Sequence, residues 1–336
     1  MTVVRVEVTL HVTDRQGRVV PGLKKEDFQL FIDDRTVPIE SLDWEGTVSA
    51  SMPHAGAAAV RADQPEVPAE DSGRLIAMVF QGHIEGLKDE GLMRMKRQAL
   101  SFVDTLGPKD QVAVLVAGAR MRLLLDFTTD RPAIRKAIDN APRTGPTPRS
   151  QGEGVRIAAN LSEEDEVAAT NTEKQLAALG RALRPLPGSK AILFFGWAVG
   201  KWNALGSPGD YSFGRYESSA DLDAAQKALA AAQAPVFAMD VSGGSHQLEA
   251  GLKQLAFETG GFYIPTHNFP GWAMQAVQEA IKGHYVLVFA KPPGAPGPHK
   301  IRIEKLRGAA PIQMLYRQEY DDSLSTAAAS APAPKS

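Results

Sequence analysis

Apolar positions follow two different rhythms in this chain. Near both ends they alternate with polar ones, and in the middle they come in unbroken runs separated by helical spacings. Residues 3–12, VVRVEVTLHV, alternate with period two, the pattern of a half-buried strand. TDRQGRVVPGL supplies turn residues, and DFQLFIDDRTVPIESLDW reads as two further strands across an Asp-Asp-Arg turn. Residues 46–73, rich in Gly, Ala, Ser and Pro with scattered acids, read as a linker.

From Arg74 the pattern changes. RLIAMVF, residues 74–80, is continuously apolar, as a strand buried on both faces must be. The stretch after it places Leu87, Met95, Leu100, Phe102, Val103 and Leu106 at helical spacing until Gly107-Pro108. DQVAVLVAG and MRLLLDF are two more buried strands, and the short Gly-Ala-Arg connection predicts a hairpin. DRPAIRKAIDNA is a helix with Pro132 in its first turn. Residues 152–185 read as largely helical, in one or two pieces. KAILFFGW, PVFAMDV and FYIP are strands. They alternate with helices over SADLDAAQKALAAAQ (capped by Ser218 or Ser219), HQLEAGLKQLAFET and GWAMQAVQEAIKG. Strands alternating with helices predict an α/β fold: a mostly parallel, Rossmann-like sheet with helices on both faces and one antiparallel edge.

After Gly283 the alternating pattern returns in HYVLVFA, HKIRIEKL and PIQMLYR. Three strands at either end make only a marginal domain. The economical arrangement pairs both ends in one small β-sandwich with the α/β domain inserted between them. The expected organisation is therefore residues 1–45 and 284–320 as the two parts of the sandwich and 74–283 as the α/β domain. Residues 321–336 form a low-complexity tail.

Composition narrows the function. Lys+Arg is 37 against Asp+Glu 39, a net charge of −2, which excludes the basic excess of a nucleic-acid binder. With no cysteine, thiolate metal sites, disulfides and thiol nucleophiles are excluded together. No apolar run reaches the length of a transmembrane helix, and no signal peptide precedes the first strand. The chain is either cytoplasmic or the remainder after a removed signal.

The order of these segments resembles the von Willebrand factor A domain, in particular the bacterial VWFA-related proteins with flanking β segments. The likeness is carried by VTDRQGRVVPGLKKEDFQLFIDD, LGPKDQVAVLV, LLLDFTTDRPAIRKAI, LKQLAFETGGFYI and HYVLVFAKPPGAPGPHKIRIEKL. It implies a protein-binding module of adhesion or scaffold type, outside the cytoplasm. It also implies a divalent cation held by an Asp-x-Ser-x-Ser turn after the first sheet strand, a middle-loop Thr and an Asp after a later strand. This sequence departs from that pattern. Gln81 stands where the first Asp is expected, with His83 and Glu85 on the serine positions, and FFGWAVG offers no carboxylate after the later strand. Only the threonine survives, as Thr144 or Thr147. The expectation is a degenerate, metal-free adhesion site, with no catalytic residue and no cofactor.

Two other possibilities stay open. His83, Glu85 and Asp240 could form a different site, since imidazole with carboxylates suits zinc or manganese, for a metal-dependent ligand binder or hydrolase. Against it, His83 is an ordinary turn residue and Glu85 an acid that favours a helix N-terminus. Alternatively the chain is a structural subunit of a larger assembly. Residues 196–216 place Trp197, Trp202, Tyr211, Phe213 and Tyr216, interleaved with Lys201 and Arg215, in a long loop on the ligand-bearing edge. Aromatics and arginine are the residue types of interface hot spots. The expected partner face is therefore the top loops: Gln81, His83, Glu85, Thr144, Thr147, Trp197, Trp202, Tyr211, Phe213 and Arg215. The plain alternative for the aromatics is a local mini-core over the sheet edge.

Overall fold

A computed structural model describes residues 4–46, 73–82, 87–141, 156–161, 169–204, 214–267, 270–294, 297–306 and 311–321. The expected linker and tail lie almost wholly outside the described residues. What is described falls into two compact units. One is drawn from both chain ends, within Met1–Ala69 and Glu279–Ser336, and the other from Glu70–Gln278.

The N-terminal alternation becomes β1 (Arg5–Asp14), whose Val6, Val8, Leu10 and Val12 enter an apolar core. β2 (Phe28–Ile32) and β3 (Arg35–Val37) form a hairpin around Asp33 and Asp34, with φ of 48° and 63°. Two left-handed central residues give the turn twist that suits a two-residue hairpin, and aspartate tolerates that conformation. The segment expected as two strands is three. Pro38 cannot donate to a ladder, so the chain leaves this sheet and continues as β4 (Ile39–Gly46) in another.

In the inner unit the apolar runs become β5 (Leu75–Gln81), β6 (Gln111–Ala117), β7 (Arg122–Thr128), β8 (Lys190–Gly196), β11 (Val236–Asp240) and β12 (Tyr263–Pro265). Between β8 and β11 lie the short strands β9 (Lys201–Ala204) and β10 (Gly214–Glu217). The helices are α1 (Leu87–Val103), α2 (Arg131–Asn140), α3 (Thr172–Leu183), α4 (Ala220–Ala231), α5 (Glu249–Glu258) and α6 (Pro270–Ala280). Asp130, Asn171 and Ser219 cap α2, α3 and α4 by accepting backbone N–H bonds.

Two expectations are corrected here. The helix expected over 152–185 is confined, among the described residues, to α3. Residues 156–161 form turns, because the buried Asp126 carboxylate accepts the Ile157 and Ala158 amides at 2.8 and 3.0 Å. The long loop expected over 196–216 contains a hairpin, β9 with β10, in a register that sets Tyr216 opposite Trp202. Aromatic residues favour that pairing.

The inner sheet has the order β12-β11-β8-β5-β6-β7. Every pairing is parallel except β6 with β7, the antiparallel edge that the short connection predicted. Leu75, Ala77 and Val79 of β5 pack in one core with α3, α4 and α5. Ile76, Met78 and Phe80 point the other way and are equally buried. Burial on both faces is what the unbroken apolar run required. β6 lies on one side of β5 and β8 on the other, so the chain reverses its direction of travel across the sheet between β5 and β8. At such a switch point, ligands of α/β sheets bind beyond the carboxyl ends of the strands.

The outer unit is completed by β13 (Gly283–Ala290), β14 (Pro298–Lys305), β15 (Ile312–Leu315) and β16 (Glu319–Asp321). Its two antiparallel sheets, β15-β1-β13-β4 and β16-β14-β2-β3, each mix strands from both chain ends and share one core. The last strand, β16, was not legible in the sequence.

Candidate functional site

Gln81 ends β5 at the switch point and is buried. Its Oε1 accepts from the backbone N–H of Trp197 at 2.8 Å and of Ala198 at 3.3 Å. Its Nε2 donates to the Ala198 carbonyl at 2.8 Å and to Thr172 Oγ1 at 3.2 Å. A carboxamide has two donor hydrogens and two acceptor lone pairs, so every hydrogen-bonding position is used. The amide stitches the end of β5 to the chain leaving β8. Gly196 makes room for it: a Cβ there would stand 2.8 Å from Gln81 Oε1 and 2.3 Å from the Phe194 ring.

The first turn of α3 supports the same place. Glu173 Oε1 accepts from Gly200 N at 2.6 Å. Gln175, fully buried, accepts from Gly118 N at 3.0 Å and donates to the carbonyls of Gly118 (2.7 Å) and Ala169 (3.0 Å). Three side chains of one helical turn therefore hold the exits of β5, β6 and β8. Thr172, not singled out from sequence, is the described threonine that meets Gln81. The available signal was Asn171 as an N-cap directly before it. Thr144 and Thr147 lie outside the described residues, as do His83 and Glu85.

The described donors do not fit a hard dication. Calcium and magnesium need oxygen ligands and carboxylate charge. Here the β5 end carries a neutral amide whose nitrogen already occupies the Thr172 and Ala198 oxygens, and the β8 end carries glycine. Among the described residues, no group of three or more His, Asp or Glu side chains could hold a metal ion.

A second polar centre lies at the end of β11. Asp240 is 1% exposed. Its Oδ2 lies 2.9 Å from His246 Nε2 and accepts from Tyr263 OH at 2.7 Å, while Oδ1 accepts from Ser242 N at 2.9 Å. Burial alone would raise its pKa, but the bonds from His246, Ser242 and Tyr263 outweigh burial and hold the carboxyl below the ordinary range. Tyr263 is pushed far up, by burial first and then by the charges of Asp240 and Glu249. Of the alternative trio His83, Glu85 and Asp240, two lie outside the described residues. The third is turned into a network of its own that includes His246, a residue the sequence did not single out as its partner.

The aromatic segment divides. Trp197 is half-buried, at the point where Gln81 grips the backbone. Trp202 and Arg215 sit on β9 and β10, with side chains outside the described residues, as Tyr211 and Phe213 are altogether. Tyr216 packs inward. Its OH donates to Gln254 Oε1 at 2.9 Å, and its ring fills the space beside Gly200 and Gly251. Burial pushes its pKa up to about 12. It belongs to the mini-core alternative and roots the hairpin on α5. Lys201 is exposed.

No family model matches the chain, and no curated protein sequence matches it. Among solved structures it is similar to a von Willebrand factor type A protein from Catenulispora acidiphila, at 11% identity and a TM-score of 0.43, covering 94% of this chain and 72% of that one. It is also similar to BatB from Bacteroides thetaiotaomicron, at 15% identity and a TM-score of 0.39, covering 61% and 96%. A third is an aerotolerance-related membrane protein from Bacteroides fragilis, at 16% identity and a TM-score of 0.40, covering 62% and 98%. Likenesses this distant carry no function across. The fold stands on the chain's own strand order, antiparallel edge and two-sided burial, and by these the inner unit is a Rossmann-like α/β domain with a mostly parallel sheet between helices.

Proposed function

We propose that this chain is a non-enzymatic protein-interaction module of adhesion or scaffold type, acting outside the cytoplasm without a bridging cation. The observation that carries this reading is the Gln81 amide. At the switch point of an α/β sheet, an open crevice and a charged group would serve a ligand. Here the end of β5 carries a neutral side chain whose two donated and two accepted hydrogen bonds are all made within the protein. This reading gives binding to the β8–β9 connection and the β9–β10 hairpin, the segment of the chain that carries Trp197, Trp202, Tyr211, Phe213 and Arg215. His83, Glu85, Thr144 and Thr147 are kept as further contact candidates of the same reading. Tyr216 anchors the hairpin base, and an anchored segment loses less entropy on binding. Among the described residues no helix is long and apolar enough to cross a membrane.

The test is site-specific photocrosslinking in the native source. A photoreactive residue at position 202 should capture a protein partner, and one at position 302 in the outer unit should not. Capture should be unchanged by a chelator, and Trp202→Ala should weaken binding at least about tenfold, the scale of a hot-spot aromatic. Micromolar binding of magnesium, calcium, manganese or zinc, abolished by His83→Ala, would replace this reading with the metal-dependent one. Light scattering that finds the chain only inside a fixed assembly would favour the structural-subunit reading.

A further inference from the structure

The inner faces of α1 and α6 are filled. Leu92, Met95, Ala99 and Phe102 of α1 and Ala273, Met274 and Val277 of α6 are buried, recurring as a core-facing stripe does. Two large apolar side chains are left on the outside of these helices, Met93 at 48% and Trp272 at 42% exposure. The core does not need them. The two helices adjoin: a Cβ on Gly271, the residue before Trp272, would stand 3.8 Å from Gln98 Oε1. Along α1, Met93 and Arg97 share one stripe, four residues apart, and Arg94 and Gln98 share the next, on the side of α6.

The charges of α1 divide in the same way. Toward α2 they are matched within the protein: Lys96 bonds Asp139, and Arg135 pairs with Asp104 just beyond α1. On the outer stripes Arg94 and Arg97 stand with Glu90, exposed one turn before Arg94. Arg94 Nε is buried and has no hydrogen-bond partner among the described residues. Such a donor carries a cost that an incoming acceptor removes.

We propose that the outer face of α1 and α6 is a second docking surface, for an acidic peptide segment of a partner protein that carries an apolar side chain beside its carboxylates. The apolar side chain covers Met93 and Trp272, and the carboxylates meet Arg94 and Arg97. Tryptophan, methionine and arginine are the residue types enriched at interface cores, and a carboxylate is the group that arginine grips with two bonds. An anionic membrane fits this face less well. Lipid surfaces are held by clusters of about 4–8 basic residues, and here Glu90 offsets part of the charge of two arginines. The surface uses no residue of the β9–β10 hairpin, so the two readings fail independently.

The experiment is titration of the full chain, isotope-labelled at tryptophan, with three probes: a synthetic amphipathic peptide of glutamate and leucine, its glutamine–leucine counterpart, and phosphatidylserine vesicles. The glutamate peptide should shift the indole N–H resonance of Trp272, bind at least about tenfold more tightly than the glutamine peptide by calorimetry, and weaken as salt is raised. Affinity should fall at least about tenfold in an Arg94→Gln, Arg97→Gln double variant and in Trp272→Ala, and stay unchanged in Arg302→Gln of the outer unit. The peptide comparison and the salt dependence need no variant, so they decide even where one fails to fold. No shift of Trp272, equal affinity for the two peptides, unchanged affinity in the double variant, or a Trp272 resonance moved by vesicles and not by peptide would each overturn the proposal.

Discussion

Replacing Gln81 by methionine removes the amide while nearly keeping its volume, so the cavity cost is small. The four partners lose their bonds together. Two of those bonds, to Trp197 N and the Ala198 carbonyl, are 2.8 Å long, and the other two are 3.2 and 3.3 Å. A buried backbone group left without a partner costs about 1–3 kcal/mol. Counting only the two short bonds gives a loss of about 2–6 kcal/mol, or roughly 4–24 °C in melting temperature if the inner unit unfolds in one step. Urea denaturation measures the total, and hydrogen exchange at Trp197 and Ala198 locates it. Gln81→Glu sharpens the test, because it keeps the acceptors and loses the donors. Its carboxylate would face the Ala198 carbonyl, so its pKa should rise in the fold. The variant should then be best tolerated below the unfolded carboxyl value and lose stability as pH rises through the raised one. Stability of Gln81→Met within about 0.5 kcal/mol of wild type, with unchanged exchange at the two amides, would refute the clip.

Asp240→Asn should destabilise the inner unit by about 2–3 kcal/mol at neutral pH, since a buried network loses its charged acceptor. The folded pKa of Asp240 is lowered, so its contribution is present above the unfolded value and lost as pH falls through the folded one. Thermal unfolding from pH 7 to pH 3 should show the gap closing. Gly91→Ala places a Cβ 1.7 Å from the Val241 carbonyl oxygen, so α1 must move off the end of β11. The cost should be at least about 1–3 kcal/mol by denaturant titration. Ser219→Ala removes the bond to Leu222 N at the start of α4 and should cost about 1 kcal/mol, with local exchange rising in the first turn.

Several features were legible in the sequence because they are local. Unbroken runs such as LIAMVFQ, QVAVLVA and KAILFFG can be buried on both faces only as inner strands of a covered sheet. The three-residue link before MRLLLDF is too short for a parallel crossover, which fixed the antiparallel edge. Asp130, Asn171 and Ser219 are placed where their side chains can cap, and of Ser218 and Ser219, both open from the sequence, Ser219 is the cap. That the ends of β5 and β8 carry glutamine and glycine, with no carboxylate, was equally plain in the chain itself. Only the tertiary structure decided what that glutamine does. The partners of Gln81 are up to 117 residues away, and no spacing rule shows whether an amide faces solvent or saturates itself inside. Pro38 sends β4 to a different sheet from β3 by the pairing available at β13, a strand more than 200 residues later. His11 and His284 become neighbours only because antiparallel register brings the two ends of the chain together. Period and propensity act over a few residues, whereas the chemistry of this protein is set by contacts across the whole fold.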